Sequence, residues 1–272
     1  MQSHFRAGLV GGLASLVFSS VLAAQNAQPQ GKRGGQREAA PPAPSVPHDP
    51  HDLAGIWRWS GRSVLALSND VPPMTPAGQA KFDTTRVSYG LRAVPPALGN
   101  DPMGKCDPLG MPRLLFFGAF TRMEVLQSAD RVVQFFEFHH VYRPIWTDGR
   151  ELPKDALDNP RWLGSSVGKW DGDVFVVDSI GFDDRTWLDH FGHIHSDEMR
   201  LQERYHRVDR DTLELTITLN DPKIYTKPWV SDTKTFKLEP GKEMQEIFCV
   251  PSEEEAFNKR VRDPAAGVAT KK

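Results

Sequence analysis

The stretch LELTITL alternates without a break: Leu213, Leu215, Ile217 and Leu219 fall on one side, Glu214, Thr216 and Thr218 on the other. Successive side chains of an extended strand point to opposite faces, so this run has one buried and one wetted face and belongs to a half-exposed sheet. The same period dominates the chain after residue 120. KWDGDVFVVDS places Asp171-Gly172 between two strand-like runs, and Asp-Gly supplies the positive φ of a tight hairpin turn. Further strands are expected at 55–60, 63–67, 121–127, 131–140, 141–147, 199–208, 233–239 and 244–250, with TDGR, VDRD and LNDP as turns. Helical signals are few. Thr75-Pro76 before AGQAKF predicts an N-capped helix with proline at its first position. Ser252 with Glu255 reads as the capping box of a C-terminal helix, whose Lys259, Arg260 and Arg262 suit its negative end before Asp263-Pro264. The economical architecture is all-β: an antiparallel meander barrel over residues 51–251 with short flanking helices, then a C-terminal helix and tail over 252–272.

The N-terminal residues have a different character. Arg6 precedes a run of small and apolar residues from Ala7 to Leu22, and Val21-Leu22-Ala23 offers the small residues a signal peptidase reads, so residues 1–24 read as a secretory signal. The apolar run is shorter than the roughly 20 residues needed to cross a bilayer. No membrane span is expected after cleavage, and the destination is periplasmic or secreted. Residues 25–50, rich in Pro, Gly, Gln and Ala with almost no bulky apolar side chain, read as a disordered linker. A formal charge of −2 gives no electrostatic case for nucleic acid or an anionic membrane as partner. A small-molecule ligand is the expected partner, and no oligomeric state is indicated. Cys106 and Cys249 are the only cysteines, and in an oxidising compartment the pair reads most simply as a disulfide.

Gly55-Ile56-Trp57, opening the first strand, resembles the Gly-x-Trp signature of lipocalins and other calycin barrels. The resemblance implies a barrel with this tryptophan closing one end. The segments TDGRELP, GKWDGDVFVVDSIGFDDRTWLD, HSDEMRLQERYHRVD and DPKIYTKPW resemble a group of exported bacterial proteins over residues 105–250. That resemblance implies the domain and no reaction; a histidine often stands in the group where this chain has Ser165.

The polar residues that could carry chemistry concentrate in HFGHIHSDEMRLQER, residues 190–204. His193 and His195 are spaced as in a cupin metal site, but Met199 and Arg200 stand where that pattern wants a glutamate, so no metal is expected. His190, His193 and His195 are instead read as a solvated rim, where replacing one changes stability by a few tenths of a kcal/mol. In the strand that follows, Arg200, Gln202, Arg204 and His206 must face water, which turns Met199, Leu201, Glu203 and Tyr205 inward. A buried carboxylate has to be paired or protonated. Glu203 is therefore either half of a structural pair, with an arginine such as Arg143, or a general acid/base. VVQFFEFHHVYR mixes polar and aromatic residues on both faces, Glu137 and His139 on one and Gln134 and His140 on the other, as in a barrel with a lined pocket. Trp57, Tyr142, Trp146, Trp162, Trp187, Tyr205 and Tyr225 are the candidate lining residues.

Other motifs reduce to turns. Gly164-Ser165-Ser166-Val167-Gly168 spells a nucleophile elbow, but a hairpin follows it and not a helix. Asp183, Asp184 and Asp189 fit no calcium loop, and turn capping with pairing to Arg185 explains them. The expected function is an exported lipocalin-like barrel binding a small, largely apolar molecule without a cofactor. The alternative is a cofactor-free lyase, isomerase or hydrolase, with Glu203 or Glu137 moving a proton, His193 or His195 its partner, and Arg143 or Arg204 stabilising an anion. A third reading is an envelope protein-interaction module.

Overall fold

The alternating runs become strands that curl into a ring. In the computed structural model, which describes residues 47–61, 65–118 and 122–268, ten strands share one sheet. They are β1 (Gly55–Trp59), β2 (Arg122–Gln127), β3 (Arg131–Phe136), β4 (Tyr142–Trp146), β5 (Ser165–Asp171), β6 (Val174–Ile180), β7 (Arg200–Asp209), β8 (Thr212–Asn220), β9 (Trp229–Val230) and β10 (Lys234–Leu238). Sheet order is β10-β1-β2-β3-β4-β5-β6-β7-β8-β9, and β10 also pairs with β8. Nine strands therefore close an all-β barrel, and the two-residue β9 pairs with the far end of the β8 edge that β10 occupies. The expected leader, residues 1–24, and all but the last few residues of the expected linker lie outside the described residues.

The expected meander is interrupted once. Every neighbouring pair is antiparallel except β4–β5, which runs parallel through only Ile145↔Ser166 and Trp146↔Val167. Parallel neighbours need a crossover, and residues 147–164 supply it by carrying the chain back along β4 before β5 begins. The hydrogen-bonding phase of β4 follows from Phe136 N–H, which donates to Val141 C=O at 2.8 Å. With the register Gln134↔Arg143, Arg143 and Ile145 exchange bonds with β3, while Tyr142, Pro144 and Trp146 turn their backbone groups toward β5. Proline, which has no N–H, thus stands on the side where β5 has not yet joined β4.

The inward faces follow the alternation. Leu201, Glu203 and Tyr205 are buried on β7, and Leu213, Leu215, Ile217 and Leu219 on β8. The β5–β6 turn is one residue later than the sequence places it. Asp171 pairs with Val174, so Gly172 and Asp173 are the central residues, and Gly172 alone has positive φ (58°), the pattern of a type II′ turn. Trp57 is fully buried, its Nε1–H donating to Leu53 C=O at 2.9 Å. Arg207 lies 5.4 Å over its ring and donates to the carbonyls of Asp52 and Arg210, drawing the chain before β1 over the indole.

Several elements depart from the sequence reading. β3 stops at Phe136 and not at residue 140, because His139 and His140 take left-handed φ values of 62° and 49°. The stretch 244–250 is no strand; it makes the isolated bridge Phe138↔Ile247 and is tied down by the Cys106–Cys249 disulfide. Of the expected strand 63–67, residues 63 and 64 lie outside the described residues and 65–67 are irregular, with Ala66 C=O accepting from Lys234 Nζ at 2.8 Å. The helix α1 (Pro76–Phe82) begins as expected, Thr75 Oγ1 accepting from Gly78 N–H at 3.0 Å. The capping box of Ser252 and Glu255 does not form: α2 (Pro251–Phe257) takes Pro251 as its first helical residue and Val250 as its cap. A proline's fixed φ suits that first position, which moves the helix start upstream of Ser252.

Candidate functional site

Five consecutive strands send one polar network into the barrel. Arg143 on β4 and Glu203 on β7 form a bidentate pair, Nη1 to Oε2 at 2.9 Å and Nη2 to Oε1 at 2.8 Å. Arg143 also donates from Nε to Ser166 Oγ (3.0 Å), from Nη1 to Gln134 Oε1 (3.1 Å) and from Nη2 to Ser179 Oγ (2.7 Å). A guanidinium has five N–H donors, and these five acceptors use them all. Tyr205 hydroxyl completes the network, donating to Glu203 Oε2 at 2.6 Å and accepting from Gln134 Nε2 at 2.8 Å. Burial, reinforced by the Glu203 carboxylate, pushes the Tyr205 hydroxyl well above its ordinary pKa, which keeps it a donor. Burial opposes the charge of Arg143, yet the adjacent Glu203 more than offsets this and holds its pKa above the usual value. The network is closed. It leaves Arg143 no free donor for an anion, and it holds both oxygens of Glu203 in bonds to neighbours.

Glu137 is fully buried just beyond β3, and its oxygens accept from Arg122 N–H (3.0 Å), Arg122 Nη1 (3.1 Å) and Gln245 N–H (2.8 Å). It anchors the end of β2 and the strap of residues 244–250 to one point. Arg204, by contrast, faces out and pairs with Asp171 at 3.0 Å.

The histidines overturn the solvated rim expected of them. The loop before β7 turns inward. His195 is fully buried: its Nδ1 donates to Ser196 C=O at 2.9 Å, and Nε2 meets Thr186 Oγ1 at 2.8 Å. Burial depresses its pKa, so the neutral ring carries its proton on Nδ1 and accepts from Thr186 at Nε2. His193 Nδ1 lies 2.6 Å from Asp189 Oδ2, and the ring stacks on Phe82 and meets Trp229 edge-on. His190 stacks on Phe117 at 5.0 Å, and its pKa falls to about 4 through burial and then the nearby Arg113 charge. The two-residue spacing of His193 and His195 therefore does not make one metal-binding face, because the segment is a loop and each ring finds its own partners. Among the described residues no three candidate ligands cluster. Asp183 pairs with Arg185 at 2.6 Å, as the turn reading requires.

The aromatic candidates separate. Trp57, Tyr205 and Tyr225 are core residues with their polar atoms occupied, Tyr225 hydroxyl donating to Ile194 C=O at 2.9 Å. Trp146 is covered by Arg131 and Arg150, whose guanidinium carbons stand 4.2 and 3.6 Å from the ring centre. It borders neither opening described here. Tyr142 and Trp162 line a cleft of about 440 Å³ where β4 and the start of β5 splay apart, together with Pro144, Leu163 and Arg161. Trp187 borders a second, more polar cleft of about 370 Å³, among Lys81, Lys105, Asp107, Asp184 and Arg185. Sequence patterning brought out Tyr142 and Trp162. It missed Pro144, Leu163 and Arg161, because the cleft arises from the crossover and no local period announces a crossover.

Comparison with known protein families, with curated proteins and with solved structures finds no match for this chain. No helix among the described residues is long and apolar enough to cross a membrane.

Proposed function

We propose that this chain is an exported, calycin-like barrel protein that binds a small, largely apolar molecule in the cleft between β4 and β5. The lumen itself is occupied by the Arg143–Glu203 network and the core above and below it. The observation that carries the proposal is the cleft: its volume of about 440 Å³ lies within the roughly 300–1,000 Å³ of small-molecule sites, and its walls are mostly apolar and aromatic. Export is supported by the leader-like residues 1–24 and by the disulfide between Cys106 and Cys249. No reaction is assigned, since the carboxylates Glu203 and Glu137 are both held in structural pairs. The protein-interaction reading draws on a separate observation, the exposed Phe248, Val250, Phe257 and Val261 along the strap and C-terminal helix.

Native mass spectrometry of the full chain, exported and purified without organic additives, tests the proposal. A bound small molecule is expected in the wild type. The double variant Tyr142→Ala/Trp162→Ala should lose it while its melting temperature stays close to that of the wild type. A wild-type chain that carries no molecule, and that takes up no apolar probe on titration, overturns ligand binding and leaves the protein-interaction reading.

A further inference from the structure

We infer that the cleft between β4 and β5 selects an amphiphilic carboxylate, an acid with a flat apolar body, and that Arg161 reads the carboxylate. The inference rests on the proposed binding function and narrows its ligand class.

The argument begins with charge. No residue lining the cleft is acidic. Its basic residues are Arg143, Arg161 and His140. All five N–H donors of Arg143 are already bonded within the barrel. His140 Nε2 lies 2.8 Å from Gln245 C=O, which it meets as a donor. Arg161 differs: it is exposed, and its guanidinium makes no hydrogen bond, ion pair or ring contact among the described residues, its backbone alone bonding, to Gly164, Gly181 and Asp183. Most of the other arginines near the barrel are engaged, including Arg185 on Asp183 and over Trp162. One cation, in no ion pair among the described residues, therefore borders a cleft whose other lining residues, Arg143 and His140 apart, carry no charge, from Pro108 to the Tyr142 phenol and Trp162.

The backbone adds a second donor. The phase of β4 turns Tyr142 N–H toward β5, but β4–β5 pairing starts only at Ile145↔Ser166. That N–H faces the splayed part of the seam, and a planar carboxylate matches a guanidinium fork and a backbone N–H at once. A neutral acceptor could meet these donors but would bring no counter-charge to the guanidinium.

Isothermal titration with 2-naphthoate and with its uncharged methyl ester, on the full chain and on Arg161→Gln, tests this. The wild type should bind the acid roughly tenfold or more tighter than the ester, the effect of one partly exposed charge-assisted contact. Arg161→Gln should bring the two affinities together by weakening the acid alone. Since the Arg161 side chain has no partner to lose, its melting temperature should not move. Equal affinities in the wild type, or an acid preference that survives Arg161→Gln, overturn the role of Arg161 while the binding function stands. No binding of either probe to the wild type overturns both.

Discussion

At the scale of single residues, the closed network around Arg143 decides what a change inside the barrel does. Glu203→Gln keeps the shape and one acceptor but leaves a buried guanidinium without its counter-charge, a situation that costs about 3–5 kcal/mol. Urea unfolding should register that loss. An unchanged midpoint would mean that Glu203 reaches solvent. The inward position of Glu203 was legible in the sequence, because four polar residues at Arg200, Gln202, Arg204 and His206 could only face water, and Arg143 was already the named partner. Gln134, Ser166 and Ser179 were not legible as parts of the network. Each sits on a different strand, and only the closure of the ring brings them within reach of one guanidinium. The histidines failed for the opposite reason: a two-residue spacing implies a shared face only in extended chain, and residues 190–196 are a loop.

At the scale of elements, the strap of residues 244–250 is held by the Cys106–Cys249 disulfide, the Phe138↔Ile247 bridge, the Gln245 N–H bond to Glu137 and the His140 Nε2 bond to Gln245 C=O. Thiol counting under denaturing conditions should find no free thiol in exported protein until a reductant is added. Reduction should then lower stability by about 2–4 kcal/mol, the usual effect of opening a long covalent loop, and limited proteolysis should first cut between residues 240 and 257. A first cut elsewhere would show that the bridge and the Glu137 bond suffice without the disulfide. The pairing was legible by elimination, with two cysteines and no rival ligand. The strap reads as a strand from a short apolar run, Ile247 to Val250; what decides against a strand is the left-handed turn at His139 and His140, which ends β3 before it can pair further.

At the scale of the whole molecule, buried neutral histidines tie the fold to pH. His190 is held at about 4, and burial lowers His195 and His139 as well. A base whose folded pKa lies below its unfolded value binds fewer protons when folded, so the stability gained is complete above about pH 6.5 and is lost as pH falls toward 4. For His190 alone this amounts to about 3 kcal/mol. His190→Phe, which keeps a ring on Phe117, should unfold at the wild-type denaturant concentration near pH 7 and lose less stability than the wild type near pH 4.5. Parallel losses in the two proteins would remove His190 from the account. The barrel as a whole was legible from period-two runs and turn residues, but its one parallel pair was not, since TDGR reads as a hairpin turn and nothing local says that the chain will cross over. That pair has a further consequence. Open strand edges are templates onto which a second chain can add itself, and a ring removes them except where its strands part. Here they part beside Pro144, which cannot donate the next rung of a ladder. An incoming strand would find its growth point blunted there, which makes the seam a poor template for the extended peptide that would begin a polymer.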